Sequence, residues 1–245
     1  MKLDYGTMIS CAPVTLSVGT VKKPHLSEIQ DMTFEKFGLY QDMLRLTPEI
    51  FYGKSKDEAR VAYWESLDEI AQYEIKLYQI VLENPMVAQI YLEIFNFFFE
   101  EDVVFQEECY IVLNSGASLD NIAEVDDIRD VIRGVINENN FQSVVDVIAQ
   151  ICGMEVEEEE REEDQHFKNE LARQIWLKMQ AGRKKKKAQR GSGNKNMTLP
   201  NIISSLSGGK HPALSYLNVW GLTIYQAIDT FNRLQLGAFY DIDST

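Results

Sequence analysis

Three histidines, three cysteines and a glycine-bearing turn are the groups in this chain that could hold a metal, attack a carbonyl or cradle a phosphate. His25, His166 and His211 stand far apart. None has a second His or Cys at the spacing of a zinc site, where about four N or S ligands converge. No metal and no cofactor is expected. Cys11, Cys109 and Cys152 are read as reduced thiols, with Cys109 and Cys152 buried as small hydrophobes. The run Ser204-Ser205-Leu206-Ser207-Gly208-Gly209-Lys210-His211 has the outline of a phosphate loop. It departs from one at Ser204, where Gly is needed, and at His211, where Ser or Thr would ligate magnesium. A turn between two helices accounts for the glycines. Carboxylate pairs such as Glu107-Glu108 and Asp126-Asp127 arise by chance in so acidic a chain, and no Gly-x-Ser-x-Gly elbow or catalytic cysteine signature occurs. The chain is therefore read as a non-enzyme.

Two other features bear on contact rather than catalysis. Arg183, Lys184, Lys185, Lys186, Lys187 and Arg190 put six cations into eight residues, a density that neutralises phosphates and releases counterions. The segment has no aromatic residue on which a base would stack. A solvated helix end, or one docked on the acidic block 155–164, comes first, protein contact next, and nucleic acid after both. The second feature is the stretch from Tyr216 to Leu234, in which Trp220, Ile224, Ile228 and Phe231 fall on one helical face with Tyr225 alongside. A piece of about 45 residues cannot bury such a stripe by itself. It must dock on the body, on a second copy or on a partner, and these five residues are the predicted partner contacts.

The charge along the chain sets these features apart. The 245 residues carry a net charge of −14 and are 45% hydrophobic, which excludes global disorder. Residues 1–167 hold 12 basic and 34 acidic side chains, a balance of −22; residues 168–195 balance at +9 and residues 196–245 at −1. An acidic body is thus predicted over 1–153, a charged helix and basic flexible linker over 154–196, and a small aromatic-rich helical module over 197–245. The first residues lack the apolar core of a secretory signal, so a cytosolic protein is expected. The apolar run from Val87 to Phe99 is interrupted by Gln89, Glu93 and Asn96, too short and too polar for a membrane span.

The elements that must position these groups read as mainly α with minor β. Thr7 to Val21 predicts two strands in an N-terminal hairpin. From Leu26 the period changes to three or four, with Ser27 or Thr33 as cap, and helix runs towards Thr47-Pro48. Ser55-Lys56-Asp57-Glu58 has capping-box spacing and predicts one long helix from 57 to 82, ended by Asn84-Pro85. Pro85 then opens a helix apolar around most of its circumference, the predicted central helix. Val103 to Leu113 predicts a strand or hairpin arm. Asp120 to Arg133 and Phe141 to Cys152 predict amphipathic helices, the second stopped by Gly153. A further helix is expected from about 164 into the basic run, and short helices over 199–206 and 222–234.

Several of these words together resemble a known kind of protein. The segment Leu199-Pro200-Asn201-Ile202-Ile203-Ser204, His211-Pro212, Val219-Trp220-Gly221-Leu222-Thr223-Ile224-Tyr225-Gln226 and Phe231-Asn232-Arg233-Leu234 resembles the end of tail-morphogenesis proteins of tailed bacteriophages of Gram-positive hosts. The upstream order is similar as well: the Cys-Ala-Pro hairpin, Leu46-Thr47-Pro48, Asn139-Asn140-Phe141, an acidic stretch, and Phe167-Lys168-Asn169-Glu170 before the basic linker. In size and character the chain is similar to tail assembly chaperones, which keep the long tape-measure protein soluble until the tail tube forms round it. The resemblance implies action by protein contact in the host cytoplasm, on tail proteins such as the tape measure or tail tube protein, or on a second copy of the chain. Such chaperones are mostly helical, so the predicted β segments leave a structural role in the virion open.

Overall fold

A computed structural model describes residues 1–119, 127–156, 170–190, 198–208 and 214–243. Its first element departs from the sequence reading. Tyr5–Ile9 is a helix, α1, because the Asp4 carboxylate caps it by accepting from the Thr7 backbone N–H at 2.9 Å and from the Thr7 hydroxyl. The predicted hairpin is confined to β1 (Val14–Leu16) and β2 (Gly19–Val21), paired Val14 to Val21 and Thr15 to Thr20. Helices α2 (Leu26–Met32) and α3 (Phe34–Leu44) meet at Thr33, whose φ of 90° breaks the run and whose hydroxyl caps α3.

The long helix predicted over 57–82 is three: α4 (Glu58–Ser66), α5 (Glu69–Glu74) and α6 (Leu77–Glu83). Its capping residue is Asp57, which accepts from the Ala59 amide at 3.0 Å, while Ser55 accepts from Asp57 N–H at 3.1 Å and forms no capping box. The break at Leu67-Asp68 has a local cause. Asp68 accepts from the amides of Ile70 and Ala71 at 3.0 and 2.8 Å, offering the chain a fresh start that competes with continued helix.

Asn84-Pro85 ends α6 and opens α7 (Pro85–Phe98), which is the central helix, with Ala88, Tyr91, Ile94, Phe95 and Phe98 buried. Phe95 meets Tyr110 edge-on at 4.9 Å and Tyr91 meets Phe141 at 5.0 Å, the offset geometry that ring quadrupoles favour. Both buried phenols find acceptors, Tyr91 on the Met43 carbonyl at 2.7 Å and Tyr110 on the Ala88 carbonyl at 2.9 Å.

The arm predicted over 103–113 is a hairpin of β3 (Val103–Gln106) and β4 (Cys109–Leu113). A third strand, β5 (Ile132–Ile136), pairs antiparallel with β4, where a helix was predicted to run as far as Arg133. Positions 120–126 of that predicted helix lie outside the described residues, and Ile128–Asp130 form a single 3-10 turn. Ile132-Arg133-Gly134-Val135-Ile136 is too short for its period to choose between helix and strand, and the open edge of β4 decides it, since unpaired strand amides need acceptors. At Gly134 a Cβ would lie 2.5 Å from the Val18 Cα, so the β1–β2 turn rests directly on β5.

Helix α8 (Phe141–Ile151) buries every apolar side chain it has and stops at Gly153, where φ is 74°. Cys152 is buried as predicted; Cys109 is only half-buried, its thiol donating to the Gln106 carbonyl at 3.1 Å on the edge of the hairpin. Helix α9 (Glu170–Arg190) packs on α5 through Leu177 and through Trp176, which meets Tyr73 edge-on at 6.4 Å. The start predicted at about 164 lies outside the described residues. Helix α10 (Leu199–Gly208) and helix α11 (Ile224–Asp243) follow, and α11 runs well beyond the predicted end at 234. The fold is mainly α with minor β, and one hydrophobic cluster takes in residues from Leu3 through α7 and α8 to Leu199, Ile203 and Ile224.

Candidate partner-binding surface

The five predicted contact residues sit on the turn before α11 and on its first half, where sequence places Trp220, Ile224, Tyr225, Ile228 and Phe231. Thr223 starts this helix reciprocally with Gln226: the Thr223 amide donates to Gln226 Oε1 at 3.0 Å and the Gln226 amide donates to Thr223 Oγ1 at 3.3 Å. Just ahead of it the chain runs antiparallel to the segment before α2. Leu26 N–H donates to the Leu222 carbonyl at 2.9 Å, Ile224 N–H to the Pro24 carbonyl at 3.2 Å, and His25 Nδ1 lies 2.8 Å from the Gly221 carbonyl. The turn is therefore fastened to the body by backbone pairing before any side chain acts.

That fastening turns the predicted stripe inward. Ile224 is 0% exposed and belongs to the core, so it touches no partner while the fold stands. Trp220, Ile228 and Phe231 are partly buried and packed against the same cluster. Ile228 lies over Gly153, where a Cβ would come within 2.9 Å of its Cδ1. Tyr225 is half-buried, with its ring edge-on to Tyr5 at 6.5 Å, and burial and the neighbouring Asp229 push its phenol pKa up. Asp229 accepts from Tyr5 Oη at 3.1 Å and from Arg233 Nε at 2.8 Å, and Arg233 donates on to Tyr5 Oη at 3.1 Å. These charges tie α11 to α1.

An open cleft of about 400 Å³ lies beside this junction, between the N-terminal residues, the end of α8 and α11, with Gln150, Tyr225 and Asp229 in its wall. Gln150 and Asp229 are already engaged, Asp229 with Tyr5 and Arg233. Gln150 accepts from Leu3 N–H at 2.8 Å and donates to the carbonyls of Met1 and Asp146 at 2.9 and 3.0 Å. The arrangement braces the N-terminus and presents no paired acid and nucleophile. Among the described residues no group of three or more His, Cys, Asp or Glu side chains converges as a metal site. No helix there is long and apolar enough to cross a membrane.

What α11 turns outward was missed by the helical-face argument. In the turn Ser215-Tyr216-Leu217-Asn218, Asn218 Oδ1 accepts from Ser215 N–H at 2.7 Å and Ser215 Oγ from Leu217 N–H at 3.3 Å. The turn so closed holds Leu217 out at 95% exposure, with Tyr216 exposed beside it. Leu234 and Leu236 are exposed further along α11. The signal in the sequence was Ser-x-x-Asn, the side chains of a self-bonded turn, around two large apolar residues. The basic run Arg183, Lys184, Lys185, Lys186, Lys187 and Arg190 continues the helical backbone of α9 to its last turn.

A mainly helical chain with an acidic body and an outward apolar turn is the class that fold and surface define. Against known families, residues 184–245 match the model of the YomV second domain. That is a phage-associated family, and the match fits a phage protein. No curated protein and no solved structure matches the chain.

Proposed function

We propose that this chain is a non-enzymatic bacteriophage morphogenesis protein, similar to tail assembly chaperones, that works by protein contact in the host cytoplasm. The observation that carries the reading is Leu217, a large aliphatic residue held in solvent by a hydrogen-bonded turn inside the segment that matches a phage-associated domain. A leucine kept out of the core by structure rather than by slack is suited to contact with another apolar surface. The acidic body adds solubility to whatever complex forms, since a net charge of −14 resists association by self-repulsion. The occupant is a tail component with long apolar stretches, of which the tape-measure protein is the leading candidate and the tail tube protein the second.

Co-expression with a tape-measure protein or a tail tube protein tests this. A soluble complex is expected with one of them. The double substitution Tyr216→Ser and Leu217→Ser should abolish the complex without changing the unfolding midpoint, because both residues are exposed. A complex that survives the double substitution refutes this surface, and insoluble, uncomplexed partners in every pairing refute the chaperone role.

A further inference from the structure

The turn that presents Leu217 is closed from within and tethered from without. Within it, Ser215 and Asn218 engage each other in the reciprocal manner of a capping box: Asn218 Oδ1 accepts from the Ser215 N–H at 2.7 Å, and Ser215 Oγ accepts from the Leu217 N–H at 3.3 Å. The backbone follows, with the Asn218 and Val219 amides donating to the Ser215 carbonyl at 3.2 and 3.0 Å. Beyond it, the Gly221 amide donates to the Asn218 carbonyl at 3.2 Å, and the Gly221 carbonyl accepts from His25 Nδ1 at 2.8 Å. A carbonyl oxygen only accepts, so this ring nitrogen carries the proton. Val219, 0% exposed, pins the middle of the path to the core. Hydrogen bonds thus run from the body through His25, Gly221 and Asn218 to Ser215 and Leu217.

We infer that Asn218 and His25 are positioning residues of the partner contact, which hold Leu217 in its bound placement before a partner arrives. The inference rests on the reading of Leu217 as that contact. At 95% exposure the leucine makes almost no contact with its own chain, so its side chain does not fix its own place. A loop left open visits many backbone arrangements, and few of them present one residue in one direction. Only molecules with the turn closed are ready to bind, so the apparent affinity is the intrinsic affinity multiplied by the closed fraction. Asn218 and His25 raise that fraction without touching the partner. The gain is of the kind that comes from ordering a contact in advance. His25 thereby links the C-terminal contact to the start of α2, nearly two hundred residues away in the chain.

Binding kinetics of the full chain with the tape-measure or tail tube protein are the test. Leu217→Ser removes a contact and should speed dissociation. Asn218→Ala removes only the acceptor; with about a tenth of the molecules closed, association should slow roughly tenfold while dissociation stays unchanged. Asn218→Asp keeps the acceptor and should restore the rate. His25→Ala should slow association by roughly two- to tenfold, the net effect of one hydrogen bond. His25→Asn, whose amide supplies a donor near the Nδ1 position, should recover it. In the free chain, backbone NMR order parameters over 215–218 should fall for Asn218→Ala and hold for Asn218→Asp, at an unchanged unfolding midpoint. Association of Asn218→Ala as fast as the unsubstituted chain, a loss confined to dissociation, or a failure of Asn218→Asp to rescue each overturns the inference alone, because the complex still stands. Absence of any complex overturns the reading of Leu217 and the inference with it.

Discussion

Lys23 is 5% exposed, and its ammonium donates to the Thr7 carbonyl and, at 3.0 Å, to the Ser10 carbonyl, closing the end of α1. Burial lowers its pKa, with the nearby Cys11 and Asp4 opposing the shift. Lys23→Met keeps the length and removes the donors, leaving two carbonyls without this partner. Equilibrium urea unfolding should show a loss of about 1–3 kcal/mol. The buried phenols set a limit at the other end of the pH scale. Burial pushes the Tyr78 pKa up to about 12 from an ordinary 10.0, and its hydroxyl donates to the Glu108 carbonyl. A pKa raised by folding contributes stability that is whole below the unfolded value and is lost as pH climbs towards the folded one. Stability should therefore fall between pH 10 and about 12, and Tyr78→Phe should make that fall shallower in urea midpoints taken across the range. Neither Lys23 nor Tyr78 was legible as important in the sequence, since each depends on a carbonyl supplied by another segment.

At the scale of elements, local chemistry was the readable part. Asn84-Pro85 fixed a helix boundary, and Gly153 a helix end, because proline and glycine act on their own backbone. The hairpin at 103–113 was legible from alternation. What escaped were competing local signals: Asp4 and Asp68 each start a helix where the apolar period alone predicts strand or unbroken helix. Strand β5 escaped for a different reason, since a five-residue segment with three β-branched side chains becomes a strand through the partner edge it finds. Its contact with the β1–β2 turn makes a sharp test. Gly134→Ala drives a methyl into the Val18 backbone and should destabilise by about 1–3 kcal/mol. Gly38→Ala, within α3 and with open space at the Cβ position, should stabilise by about 0.5–1 kcal/mol in the same urea series.

Over the whole molecule, the telling contact joins the two ends of the chain. The pairing of Pro24 to Leu26 with Leu222 to Ile224 builds the start of α11 into the body rather than leaving it beside the body. Ile224→Ala should accordingly cost about 2–5 kcal/mol of global stability, whereas Leu217→Ser should cost almost none. The amides of Leu26 and Ile224 should show hydrogen-exchange protection equal to that of the core of α7, because opening either unseats the shared cluster. The sequence by itself determined the mainly α class, the central helix, the segregation of charge into acidic and basic stretches, and the presence of a C-terminal apolar stripe that must dock, since composition and short-range periodicity carry all of these. Tertiary structure alone decided which face of that segment is spent. It turned Trp220, Ile224, Ile228 and Phe231 towards the body and left Tyr216, Leu217, Leu234 and Leu236 outside. An amphipathic stripe reports that a helix must dock. The surface it docks on comes from residues two hundred positions away, and no local pattern encodes their approach.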